Sequence, residues 1–191
     1  MASFIVEGGH RLSGTITPQG AKNEALQILC ATLLTSEEVV VDNIPDILDV
    51  NNLIQLLAES GVEVNKLSPN KYSFKAKELN ENFLASQEYL LRCRSLRGSI
   101  MLTGPLLARL GRAVIPQPGG DKIGRRKLDT HFLGMRKLGA ELHYNDQTGA
   151  CEIVTDKLTG TYILLDEASV TGTANVVMAA VLAEGKTTIY N

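Results

Sequence analysis

Ser99-Ile100-Met101-Leu102-Thr103-Gly104-Pro105-Leu106-Leu107-Ala108-Arg109-Leu110 is the stretch on which the fold turns. Arg109 is its one charged residue, so a helix made from it has no broad face that prefers water and must be packed on most sides. A similar stretch lies upstream at Ala25–Thr35, where Ala25, Leu26, Ile28, Leu29, Ala31 and Leu33 leave little polar surface. Another lies downstream at Val176–Leu182, preceded by Thr171-Gly172-Thr173-Ala174-Asn175. Successive stretches are separated by about 75 residues, a period that suits a repeated α/β unit and is too long for a short solenoid.

The segments downstream of each stretch recur as well. Val39-Val40-Val41, Val114-Ile115 and Thr187-Thr188-Ile189-Tyr190 read as strands. The first is followed by an amphipathic helix from about Ile47 to Glu59, stopped at Gly61, and the second by one at Leu128–Leu138, stopped at Gly139. Paired strands come next: Val62-Glu63-Val64 with Tyr72-Ser73-Phe74 about Pro69-Asn70, and Ala140-Glu141-Leu142 with Glu152-Ile153-Val154 about Asn145–Gly149. The sequence therefore predicts repeated α/β units whose sheets surround buried helices. The third unit stops at Asn191, where the others enter a surface helix and hairpin, so a truncated third unit and a longer natural protein are expected. Phe4-Ile5-Val6 and Leu12-Ser13-Gly14-Thr15-Ile16 read as two further short strands around Gly8-Gly9-His10. A dinucleotide-binding sheet would need Gly-x-Gly-x-x-Gly after the first strand, and none occurs there.

With 44% hydrophobic and 21% charged residues among 191, the chain has the composition of a globular protein. A net charge of -2 without a long Lys/Arg run argues against nucleic acid as a partner. The start lacks a basic leader with an apolar stretch behind it, and no segment supplies the 18 or so apolar residues of a membrane span, so no membrane insertion and a cytoplasmic location are expected. Cys30, Cys93 and Cys151 are too few and too scattered for a disulfide scaffold or a thiolate metal site, and Cys30 reads as a core residue. His10, His131 and His143 lack metal-ligand spacing, and no metal is expected.

Three stretches carry chemistry. Gly20-Ala21-Lys22-Asn23-Glu24 enters a buried helix; Lys22 either neutralises an anionic ligand or makes a salt bridge, and Asn23 either orients a ligand or caps the helix. Arg92, Arg94 and Arg97 precede the next buried helix, and helical spacing places Arg94 and Arg97 on one side, as a basic surface or an anion site. Pro116-Gln117-Pro118-Gly119-Gly120-Asp121-Lys122-Ile123-Gly124-Arg125-Arg126-Lys127-Leu128-Asp129 combines restricted and permissive backbone with opposed charges. Within it Asp121 either transfers a proton or fixes the loop. Arg126 with Arg97 makes two forks suited to a phosphate, and Asp129 and His131 cap or face the following helix.

Lys22-Asn23, Arg97, Gly104-Pro105-Leu106, Pro118–Arg126, Asp129-Thr130-His131, Ser169-Val170 and Leu182-Ala183-Glu184-Gly185 together resemble the enolpyruvyl transferase family, and within it the UDP-N-acetylglucosamine 1-carboxyvinyltransferases of peptidoglycan precursor synthesis. The resemblance implies an inside-out, barrel-like fold of α/β units, with residues 22–191 forming most of the first substrate domain and residues 1–21 associated with a second, C-terminal domain absent from this chain. It implies phosphoenolpyruvate and UDP-N-acetylglucosamine as substrates and no cofactor. Lys22, Arg97 and Arg126 would contact phosphoenolpyruvate or stabilise charge, and Asn23 would orient the sugar. Lys127, Leu128, Asp129, His131, Ser169 and Val170 would contact the nucleotide sugar. The family's mobile loop usually carries cysteine where this chain has Asp121; a minority of members have aspartate, which implies proton donation by Asp121 and resistance to the epoxide fosfomycin. The alternatives are a shikimate-pathway enolpyruvyl transferase and a noncatalytic nucleotide-sugar binding protein. The 191-residue chain alone is expected to be inactive.

Overall fold

The computed structural model describes residues 3–119 and 127–191. In chain order it contains α1 (Lys22–Ala31), continued by a 3-10 turn (Thr32–Leu34), β1 (Glu38–Val41), α2 (Leu48–Glu59), β2 (Glu63–Ser68) and β3 (Lys71–Lys75). Next come α3 (Glu81–Leu84), α4 (Gln87–Ser95), a second 3-10 turn (Arg97–Leu102), α5 (Thr103–Leu110) and β4 (Arg112–Pro116). The remaining elements are α6 (Asp129–Lys137), β5 (Glu141–Asn145), β6 (Ala150–Val154), β7 (Tyr162–Leu164), α7 (Val170–Ala180) and β8 (Thr188–Tyr190).

The two complete units share one plan. Each forms a three-stranded antiparallel sheet in which the last strand in sequence lies in the middle, β1-β3-β2 and β4-β6-β5. Each amphipathic helix ends at a glycine with positive φ, Gly61 at 97° and Gly139 at 99°, a conformation that a side chain would strain. In α2 the buried stripe is Val50, Leu53, Leu56 and Leu57, the i, i+3, i+6, i+7 spacing of one helical face. The third unit has β7 and β8 paired in parallel, Ile163 opposite Ile189.

The apolar helices meet in the middle. α5 packs on α7 and on the 3-10 turn that ends α1, α1 also touches α7, and α6 lies against α7. Gly104 makes the closest approach: a Cβ there would stand 2.3 Å from the Asn175 carbonyl oxygen, so no larger residue fits without moving α5 from α7. Leu29, Cys30, Leu33, Met101, Leu102, Leu107, Val176 and Ala179 fill the core around this contact with almost no exposure.

Three expectations need correction, and two helices were not expected at all. Phe4–Val6 and Leu12–Ile16 are not strands: their apolar side chains Phe4, Ile5, Val6, Leu12 and Ile16 are 87–95% exposed, and no described strand pairs with them. A strand without a ladder partner leaves its N–H and C=O groups to water and has nothing to hold it extended. α7 begins at Val170, not Val176, because the Ser169 hydroxyl accepts from the Gly172 N–H at 3.1 Å and caps a helix that Thr171-Gly172-Thr173 alone would not favour. Two helices were not foreseen, α3 and α4, yet each has a legible start: Asn80 and Ser86 accept from the N–H groups of Phe83 and Tyr89. Arg94 and Arg97 do not share a helix face, since α4 ends at Ser95 between them, and Arg94 instead donates to the Thr148 carbonyl.

Candidate functional site

The starts of several helical segments converge on one hollow. α1 begins at Lys22, the second 3-10 turn at Arg97, α6 at Asp129 and α7 at Val170, and residues at or beside these starts line a cavity of about 680 Å³. That volume lies within the range of small-molecule sites. Helix starts expose unpaired N–H groups and the positive end of the backbone dipole, which favours anions over cations.

The side chains add to that bias. Lys22, Arg97 and Lys127 bring three positive charges to the wall, against the carboxylates Asp49 and Glu167. Lys22 Nζ lies 2.8 Å from Asp49 Oδ2, with both side chains more than a third exposed. Such a pair contributes about 0–1 kcal/mol, so a ligand phosphate can replace Asp49 at little cost. Asn23 and Gln27 supply amides one helical turn apart on α1, while Leu26, Ile100 and Met101 make an apolar floor. Val170, 75% exposed, and Ser169 form the rim on the α7 side. The Ser169 oxygen is occupied as the helix cap, which leaves its hydroxyl proton for a ligand.

His131 stands apart from the other polar groups because it is 3% exposed. Its Nδ1 lies 3.0 Å from Asn175 Nδ2 and its Nε2 3.4 Å from Thr171 Oγ1. Burial, and then the nearby Arg97 charge, push its pKa down to about 4, so it is neutral at physiological pH. No cysteine is among the described residues that line the cavity, and in the core burial raises Cys30 well above the ordinary thiol range and pushes Cys93 up to about 11. Among the described residues no group of three or more His, Cys, Asp or Glu side chains is placed to hold a metal ion. No described helix is long and apolar enough to cross a membrane.

Of the residues singled out from sequence, Lys22, Asn23, Arg97, Lys127, His131, Ser169 and Val170 line this one cavity. Leu128 does not: it is half-buried against the core. Asp129 starts α6 with its side chain exposed and outside the lining. Asp121 and Arg126 lie outside the described residues. Sequence reasoning missed Asp49, Glu167, Thr171 and Asn175. Asp49 looks like any first-turn acid of a helix, but Asn175 carried a signal, a lone amide in the otherwise apolar run Ala174–Ala180.

Residues 6–191 match the family described as EPSP synthase (3-phosphoshikimate 1-carboxyvinyltransferase). The chain is 65% identical over 191 residues to the UDP-N-acetylglucosamine 1-carboxyvinyltransferase of Bacteroides thetaiotaomicron, and 58% identical to that of Porphyromonas gingivalis, with 100% of this chain and 44% of each relative covered. It thus spans less than half the length of these curated relatives. Among solved structures, the enolpyruvyl transferase NikO from Streptomyces tendae superposes with a TM-score of 0.71 at 18% identity, over 95% of this chain and 42% of that one. EPSP synthase from Acinetobacter baumannii superposes with a TM-score of 0.70 at 19% identity, over 93% and 40%. The chain belongs to the EPSP synthase family, and the α/β enolpyruvyl transferase fold expected from its sequence is the fold it has.

The buried histidine gives the fold a defined acid response. An unfolded chain binds a proton at His131 near pH 6.5 and the folded one only near pH 4, so stability falls as pH drops through that interval. The full difference is about 3 kcal/mol. Urea unfolding between pH 7 and pH 4 should show this loss, and His131→Gln should flatten it; equal pH dependence in both proteins would contradict the burial.

Proposed function

We propose that this chain is one substrate-binding half of an enzyme that transfers the enolpyruvyl group of phosphoenolpyruvate to the 3-hydroxyl of UDP-N-acetylglucosamine, with release of phosphate. The observation that carries the reading is the gathering of Lys22, Asn23, Arg97, Lys127, His131, Ser169 and Val170 in one cavity, in a chain 65% identical to a protein of that name. Relatives at 18–19% identity share the fold without fixing the acceptor.

Phosphoenolpyruvate is a small, multiply charged anion, and Lys22 and Arg97 with Arg126 hold its phosphate and carboxylate. Asn23 orients the sugar, and Lys127, His131, Ser169 and Val170, which line the cavity, serve the nucleotide sugar. In the reaction Asp121 protonates the methylene carbon, which makes the neighbouring carbon electrophilic. The sugar 3-hydroxyl then attacks that carbon and gives up its proton. Loss of a methyl proton from the adduct expels phosphate and restores the double bond. For Asp121 to arrive protonated at neutral pH its environment must raise its proton affinity.

The whole protein supplies the other wall of the site as a second domain, and residues 1–21 belong with it. The exposed apolar side chains of Phe4, Ile5, Val6, Leu12 and Ile16 support that placement, because such a surface is stable only when covered. Closure of the second wall excludes water from the charged intermediates. The enzyme works in the cytoplasm, and the 191-residue chain alone does not turn over.

Phosphate release tests the reading. The whole protein should release phosphate only with both substrates present, and shikimate 3-phosphate should not replace the nucleotide sugar. Binding of UDP-N-acetylglucosamine without product would favour a noncatalytic binding protein instead. Fosfomycin provides a second check, since a carboxylate is a weak nucleophile toward its epoxide. Mass spectrometry should find no adduct at Asp121 in the natural sequence and one after Asp121→Cys; an adduct on Asp121 itself would contradict the assignment.

A further inference from the structure

Asn175 has no exposed surface, yet it sits on the apolar helix α7, where an amide is costly unless every polar atom is paired. Its partners settle which way the amide points. The Gly104 N–H donates to Asn175 Oδ1 at 2.7 Å, and Asn175 Nδ2 donates to the Ile100 carbonyl at 2.9 Å. A backbone N–H can only donate and a carbonyl can only accept. Rotating the amide by half a turn would set donor against donor and acceptor against acceptor at both ends. The second Nδ2–H is thereby aimed at His131 Nδ1, 3.0 Å away.

We infer that Asn175 is a positioning residue: fixed by two backbone groups of set polarity, its amide donates to His131 Nδ1 and makes His131 a neutral Nε2–H donor at the cavity wall. With Nδ1 accepting, the one ring proton of a neutral imidazole must reside on Nε2. That proton faces Thr171 Oγ1 across 3.4 Å, a long contact that a ligand oxygen can replace. A charged imidazolium would oppose its own Nδ1–H to the amide N–H, and the other neutral tautomer would do the same.

The consequence is a division of labour. His131 recognises an acceptor atom, a carbonyl or phosphate oxygen, and has no lone pair on the cavity side with which to take a proton. A general base in this reaction must therefore be another group. The inference rests on side chains and backbone alone and stands whether or not the cavity takes a nucleotide sugar.

Nitrogen NMR of the labelled 191-residue chain reads it directly. The His131 ring should show a protonated Nε2 and a bare Nδ1 at neutral pH, with a scalar coupling to Asn175 Nδ2 across the hydrogen bond. Asn175→Asp keeps an acceptor for Gly104 but puts an oxygen where Nδ2 donated. In that variant the coupling should be lost and a proton should appear on Nδ1, a change that a purely space-filling role for Asn175 would not produce. A proton on Nδ1 in the natural chain, or no coupling there, would overturn the inference even if the variant fails to fold. A folded Asn175→Asp protein whose His131 keeps a bare Nδ1 would also overturn it.

Discussion

The close approach of α5 to α7 at Gly104 and Asn175 is the contact on which the rest of this structure depends. A helix can come that near another only where one side chain is missing, and it stays there only if the polar groups brought together satisfy one another. Both conditions hold at one point: Gly104 has no Cβ, and the Asn175 amide pairs with Gly104 N–H and Ile100 C=O. A third bond, to His131, brings in α6. Removing the amide would take from the buried Gly104 N–H its partner, at about 1–3 kcal/mol, a large share of an ordinary domain's net stability, while the Ile100 carbonyl would keep the Thr103 N–H.

The same packing builds the cavity. When apolar helices from successive α/β units converge, their starts converge as well, and the unpaired N–H groups of those first turns face a common space. The chain places Lys22 and Arg97 at two of those starts, and Lys127 just ahead of a third. An anion is thus attracted by backbone and side chains together, while the apolar floor of Leu26, Ile100 and Met101 limits how much water competes. The Lys22–Asp49 pair keeps a cation in place before a ligand arrives without holding it strongly. The positive bias of the cavity is preformed at the level of the fold, and the neutral His131 adds no charge to it.

How much of this could be read from the chain depends on whether the signal was local. The buried helices and the two matching units were legible because apolar runs, strand-forming triplets and the stops at Gly61 and Gly139 repeat in order. Sheet order was not legible in the sequence, and β7 at Tyr162–Leu164 was missed because it has no counterpart among the strands read in the two repeated units. The opening segment forms no ladder in this chain, because Phe4–Val6 has strand composition but no described strand to pair with. Seven of the residues singled out line the cavity because they cluster at helix entrances; Asp49 and Thr171 line it too but were passed over, because their place in the wall appears only once distant segments are folded together. Asn175 was within reach, since an amide inside an apolar helix must have a reason to be there.

Native-state hydrogen exchange at the Gly104 amide tests the central claim most directly. If the α5–α7 contact is what the core depends on, this N–H should exchange only through global unfolding, with an opening free energy equal to that from urea denaturation and the same response to denaturant. An amide that exchanges through a local opening, while core amides of Leu29 and Leu107 remain protected, would contradict the account.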